Sequence, residues 1–158
     1  MAEFSTTLTP PVASATTELY YAETEDTDLK QIFGVQSIPA IISAPEDVTY
    51  RTLESRTEFA TQGVRAYEAI EIELLYYKEQ YTALAALESG GKVPYWYVKL
   101  PDASAGSGAS AKPLVVKWQG SMSVSIAEVA LDDMVKCTLK IGKSSVPETI
   151  DGLPDTGA

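Results

Sequence analysis

"YEAIEIELLYYKEQYTALAALES" spans Tyr67–Ser89, and the spacing of its apolar residues changes partway along. In the first half Ile70, Ile72, Leu74 and Tyr76 share one face, while Glu71 and Glu73 share the other. Alternation with a single apolar side predicts an antiparallel strand that packs on a core through one face. From Tyr77 the period lengthens. Tyr77, Tyr81, Leu84 and Leu87 fall on one helical stripe, and Gly90-Gly91 ends it. No other segment carries a convincing helical period.

Strands account for most of the rest. "TELYYAETE" (Thr17–Glu25) reads as a strand running into an acidic loop, and "VTYRTLE" (Val48–Glu54) alternates. "YWYVKL" (Tyr95–Leu100) is a further strand, and "LVVKWQGSMSVSIAEVAL" (Leu114–Leu131) reads as two strands about a bend at Gly120. "MVKCTLKIG" (Met134–Gly142) is the last. Several short strands and one helix predict a mainly β fold, an antiparallel β-sandwich or barrel with one flanking α-helix. Residues 1–16, rich in Thr, Pro, Ala and Ser, are expected to form a mobile extended arm, and 147–158 a C-terminal tail. "PDASAGSGASAKP" (Pro101–Pro113) is expected to be a flexible tip.

One stretch fits no template. From Thr24 to Asp47 no period holds, yet Ile38, Ile41 and Ile42 are apolar and Pro39 and Pro45 bracket the last two. A loop of that length inside a compact domain is expected to be functional. A greasy, proline-pinned loop packs on something, either its own sandwich or a neighbouring chain.

Composition narrows the function. At 158 residues the chain is one domain, able to bury about 70% of its unfolded surface. A formal charge of -10 and a pI near 4.4 oppose a nucleic-acid clamp and binding to anionic lipid. Acidic residues crowd the front of the chain, and Lys112, Lys117, Lys136, Lys140 and Lys143 lie near its end. That asymmetry suits head-to-tail stacking of copies. Cys137 is the one cysteine and alternates with Val135, Leu139 and Ile141, as a buried inert thiol would. With neither a basic n-region nor an apolar h-region at the start, the protein is expected to stay in a reducing cytoplasm without membrane contact.

Catalytic chemistry finds no footing. The chain has no histidine and no asparagine, which removes Ser-His and Cys-His nucleophiles, imidazole ligation of zinc and Asn glycosylation. "SGGK" (Ser89–Lys92) has the Ser-x-x-Lys spacing of serine acyl enzymes without its companions, and reads as helix termination. "GKS" (Gly142–Ser144) has Cys137 where a phosphate loop needs glycine. "ETEDTD" (Glu23–Asp28) lacks the glycine and terminal glutamate of a calcium loop, and is expected to be solvated. Glu71 and Glu73 on an open face do not form an acid–base pair. "LPDTG" (Leu153–Gly157) matches a sortase pattern but is followed by a single residue. We expect no enzyme, no cofactor and no bound metal.

The order of elements is more informative. "LYYAET" is followed by the long loop, Ile38-Pro39, "PEDVTYRTLES" (Pro45–Ser55), Gly63, the strand that hands over to the helix, "WYVKLPD" (Trp96–Asp102) and the closing "GSMSVSIAEVALDDMVKCTLKIGKSSVPE". This order resembles the major tail (tail tube) protein of long-tailed bacteriophages and prophages over nearly the whole chain. Its most specific part is the Ile-Pro, Pro-Glu-x-Val, Leu and Gly series. Two departures stand out: "IISA" (Ile41–Ala44) where family members often carry glycines, and no immunoglobulin-like decoration domain.

The resemblance implies a tail-tube β-domain over 17–146 and a structural virion protein. Such subunits form hexameric rings that stack into a hollow tube, with sheets from six subunits joined around a lumen that delivers DNA without binding it specifically. Expected partners are other copies, the tape measure protein, the tail tip initiator and the tail terminator, with assembly in the host bacterial cytoplasm. Ile38, Pro39, Ile41, Ile42, Pro45 and Glu46 are then expected to reach a neighbouring subunit. Glu71 and Glu73 are candidates for a lumen wall whose charge repels DNA, with Ser121, Ser123 and Ser125 as the alternative lining. The inner tube of a contractile tail or phage-derived injection device is the main alternative, and a pilus-like display module a weaker one.

Overall fold

The computed structural model describes residues 17–54, 56–101 and 113–153. The expected N-terminal arm, most of the expected tip and all but the leucine of Leu153–Gly157 lie outside them. Two antiparallel sheets face each other. The first contains β1 (Glu18–Ala22), β2 (Lys30–Ile32), β7 (Tyr95–Lys99), β8 (Leu114–Gln119) and β11 (Glu148–Asp151), in the order β11-β8-β7-β1-β2. The second contains β3 (Val35–Ser37), β6 (Ile70–Leu75), β9 (Met122–Ile126) and β10 (Lys136–Ile141), in the order β3-β6-β10-β9. Helix α1 (Lys78–Ser89) flanks the sandwich against β9.

The alternation read from the sequence places the core. Leu19, Tyr21, Ile32, Trp96, Val98, Val116 and Trp118 point inward from the first sheet. Ile70, Ile72, Leu74, Met122, Cys137, Leu139 and Ile141 meet them from the second, and Leu84 and Leu87 close the side from α1. Register makes these cross-strand pairs: Ile72 lies opposite Leu139, Ile70 opposite Ile141, and Trp96 opposite Trp118. Each large side chain buried this way contributes roughly 1.5–3 kcal/mol. Trp96 Nε1 donates to the Gly120 carbonyl at 2.9 Å, so its one polar group is satisfied inside the core. Cys137 is buried, and burial raises its thiol pKa, so the thiol stays protonated.

Two readings of the strand–helix junction need correction. Tyr76 belongs to no apolar strand face, because β6 ends at Leu75; it is exposed, with its ring 5.8 Å from that of Tyr81. Tyr77 is the N-cap residue of α1 and is exposed as well, which leaves Leu84 and Leu87 as the buried part of the stripe.

The stretch from Thr24 to Asp47 is not structureless. It holds β2 and β3, three residues each, joined through Phe33 and Gly34 where the chain crosses from one sheet to the other. Strands that short have no measurable period; their pairing with β1 and β6 defines them. The crossover is secured by Gln80 of α1, whose amide accepts from Phe33 N at 2.7 Å and donates to Phe33 O at 3.0 Å. Gly34 has φ 78°, and a Cβ there would lie 2.7 Å from the Tyr77 ring.

Two further elements departed from expectation. The alternating segment after Pro45 does form a strand, β4 (Asp47–Tyr50), but it pairs only with β5 (Phe59–Gln62), forming a hairpin apart from both sheets. The segment expected to be a tail from 147 contains β11, which pairs with β8 from Glu148 to Asp151.

Candidate functional site

Among the described residues, exposed apolar side chains and a groove beside the loop Ile38 to Glu46 stand out. The loop from Ile38 to Glu46 is tied to its own domain at three points. Lys143 Nζ donates to the Ile41 carbonyl at 2.6 Å, Ser43 Oγ to the Ala66 carbonyl at 3.1 Å, and Gly63 N to the Glu46 carbonyl at 2.6 Å. Burial lowers the Lys143 pKa, and nearby Glu68 partly offsets it. Ile38 and Ile41 pack against the main core, and Pro45 is half-buried. Pro39, Ile42 and Glu46 face outward. Two of the three isoleucines therefore find their cover within the subunit. A groove of about 790 Å³ runs between this loop and the end of β10, with Glu46, Glu68, Lys140 and Lys143 among its walls.

The larger apolar surface lies next to the loop. Val48, Tyr50 and Phe59 on the β4–β5 hairpin are exposed, as are Leu53 at its tip and Val64 just beyond it. The Tyr50 and Phe59 rings stack on each other at 5.7 Å, and both remain exposed. A second exposed cluster, Val129, Leu131 and Met134, occupies the connection from β9 to β10. The sequence reading missed β5. "FATQ" has no periodicity long enough to register, although the alternation at Val48–Glu54 required a partner strand somewhere.

Glu71 and Glu73 do leave the core, on the outer face of the four-stranded sheet. Register places Lys140 between Glu71 and Ser123, and Thr138 between Glu73 and Ser125. The glutamates and these serines, read from the sequence as alternative linings, are parts of one face. That face is not uniformly acidic: Lys136 Nζ lies 3.2 Å from Glu73 Oε1, and Lys140 is the cross-strand partner of Glu71.

The acidic loop Glu23–Asp28 is exposed to solvent, as expected, and two lysines tie it to the domain. Lys117 Nζ lies 2.6 Å from Glu25 Oε1 and 2.9 Å from Asp26 Oδ1, and Lys92 Nζ lies 3.2 Å from Glu23 Oε2. Burial alone would lower the Lys117 pKa, but the hydrogen bonds to Glu25 and Asp26 outweigh it and hold it above the ordinary value. Tyr97 OH donates to Asp26 Oδ1 at 2.9 Å and accepts from Asp26 N. A lysine ammonium thus occupies the place where a cation would sit. Among the described residues no group of three or more His, Cys, Asp or Glu side chains is arranged to hold a metal, and no helix is long and apolar enough to cross a membrane.

These elements define a two-sheet sandwich with one flanking helix and a projecting apolar hairpin. The same fold occurs in solved components of a phage-derived particle. A chain in the 6-fold symmetrised cryo-EM structure of the anti-feeding prophage baseplate superposes with a TM-score of 0.62 at 8% identity, over 92% of this chain and 99% of that one. A chain of the anti-feeding prophage cap, the tube terminating cap, gives 0.54 at 15% identity, over 95% and 100%. No protein-family model matches the sequence, and no curated protein matches it.

Proposed function

We propose that the chain is a non-enzymatic structural subunit of a phage-derived tail or injection device, assembling as rings that stack into a tube. The observation that carries this reading is the four-stranded sheet β3-β6-β10-β9, which has a core on one side, a polar outer face on the other, and an edge strand at each end. Joining β9 of one copy to β3 of the next would extend that sheet around a ring, with Glu71, Glu73, Lys136 and Lys140 toward the lumen. Apolar side chains on the β4–β5 hairpin and at Val129, Leu131 and Met134 then supply contacts to neighbouring copies.

The likeness to anti-feeding prophage chains favours the inner tube, or a tube-adjacent ring, of a contractile injection device over the flexible non-contractile tail. Hexameric symmetry, a tape measure protein and a tube terminator as partners, and a location in the particle's tail belong to this proposal. So does passage of DNA or another cargo through the lumen.

Negative-stain microscopy and sedimentation of the purified full chain test it. Rings or tubes are expected at high concentration. A variant carrying Val48→Thr, Tyr50→Ser and Phe59→Ser is expected to stay dispersed with an unchanged thermal midpoint, because those side chains lie outside the core. Only monomers or dimers for the wild type under every condition, tail-tip initiator included, would overturn the reading.

A further inference from the structure

Among the described residues the sandwich has four strand edges, and the two of the five-stranded sheet carry features that discourage pairing. β11 presents Glu148 and Asp151. β2 is three residues long and begins with Lys30. Shortness and charge are the usual means of keeping an edge from recruiting another strand. β3, the far edge of the four-stranded sheet, carries no charge and, with three residues and a register shift between Val35 and Ser37, offers a short pairing partner. β9, "MSVSI", has five residues, no charge, no proline and an unbroken register with β10.

Register also shows which peptide groups the free edge offers. Gly142 N donates to the Ser121 carbonyl and Ala127 N to the Lys136 carbonyl, so the odd-numbered residues of β9 bond toward β10. Met122, Val124 and Ile126 therefore turn their peptide groups outward. At the centre of that edge the Val124 N–H is already taken, donating to Glu88 Oε2 at 3.2 Å. Glu88 is exposed on the last turn of α1, the helix that lies against β9.

We propose that Glu88 is a removable guard on the strand-pairing edge. In the free subunit its carboxylate closes the middle of β9; in the ring it withdraws, and a backbone carbonyl from β3 of a second copy replaces it at Val124. The inference rests on the ring reading above and adds a control on when pairing starts. A negative carboxylate on the edge opposes an incoming carbonyl oxygen, yet it sits on an exposed side chain that can rotate into water at small cost. The two edges of the four-stranded sheet are different, so pairing runs head to tail and can close a ring.

Four full-length proteins test it: wild type, Glu88→Ala, Glu88→Lys and Glu88→Gln. Alanine and lysine side chains cannot accept the Val124 N–H, whereas the glutamine amide oxygen can. Neither first substitution threatens the fold, since alanine favours helix and lysine suits a helix C-terminus. Sedimentation velocity and microscopy are expected to show E88A and E88K assembling at about tenfold lower concentration than wild type, the worth of one charge-assisted hydrogen bond. E88Q, which keeps an acceptor for the Val124 N–H but loses the charge, is expected to assemble between the two thresholds. Equal thresholds for all four overturn the guard and leave the ring reading standing. An E88Q threshold as low as that of E88A also overturns it, because charge alone would then explain the change. If none of the four forms rings at any concentration, the ring reading fails and the guard falls with it.

Discussion

Lys117 on β8 and Glu25 in the acidic loop, 92 positions apart in the chain, meet at 2.6 Å on the outer face of the five-stranded sheet. The contact pins a loop in which Asp26 and Asp28 both hold left-handed backbone conformations. Beneath it Ala22, Leu29, Tyr97 and Val115 form a small second core. The lysine side chain is 8% exposed and the glutamate 55%. Removing the lysine therefore leaves carboxylates that can rehydrate, which keeps the loss below that of a fully buried pair. Lys117→Ala is expected to cost about 2 kcal/mol in urea unfolding, with loss of amide protection across residues 23–29. A loss under about 0.5 kcal/mol, typical of an ordinary surface pair, would count against the pinning role.

Alkaline titration reads the same region. Burial raises the pKa of Tyr97 and of Tyr20 to about 12, with a further rise for Tyr20 from its bond to Glu18. The Lys117 pKa is raised as well. All three groups hold their protons more tightly folded than unfolded, so the stability they contribute is complete below about pH 10, the unfolded range. It is lost as pH rises from there through the folded values. Chemical denaturation between pH 9 and 12 should show a falling midpoint, with Tyr20 and Tyr97 among the last tyrosines to ionise in the ultraviolet spectrum. A midpoint flat across that window would contradict the assignment.

Gly120 marks the passage from β8 to β9, where the chain changes sheets. A Cβ added there would overlap the Gly142 carbonyl, a backbone atom that cannot swing aside. The same residue's carbonyl receives the Trp96 indole N–H. Gly120→Ala is expected to destabilise the fold by about 3 kcal/mol, at the upper end for overpacking. A thermal midpoint within a degree of wild type would show that the crossover has slack.

The outer face of the four-stranded sheet offers a test of which way it points. Glu71→Lys with Glu73→Lys would leave four lysines there and remove the carboxylates beside Lys136 and Lys140. Because Glu71 is exposed and Glu73 partly so, folding should change by less than about 1 kcal/mol. If the face lines a lumen, tubes of the double variant should retain DNA at low salt and release it as salt rises. Normal tubes that ignore DNA would place the face outside, and loss of rings would place it at a subunit contact.

Much of the sandwich was legible because burial imposes period on a strand of five or six residues. Ile70, Ile72 and Leu74, with Leu139 and Ile141 across from them, announce one buried face without any knowledge of their partners. The helix from Lys78 to Ser89 was legible in the same way, through Leu84 and Leu87 and the glycines that end it. β2, β3 and β5 were not, since three or four residues carry too little pattern and exist only through the strands beside them.

Local spacing and composition were enough for the two-faced strands, the helix, the inert position of Cys137 and the lack of any imidazole chemistry, because none of these depends on a distant partner. What those local patterns met was set by the packing of the whole chain. It turned Ile38 and Ile41 onto their own core and left Val48, Tyr50 and Phe59 uncovered, although all five are apolar residues within one stretch of chain. It set Lys136 and Lys140 beside the glutamates, Lys117 under the acidic loop, and Glu88 against the edge at Val124. Each of those contacts joins residues far apart in sequence, and their meeting depends on strand order and register, which local spacing does not encode.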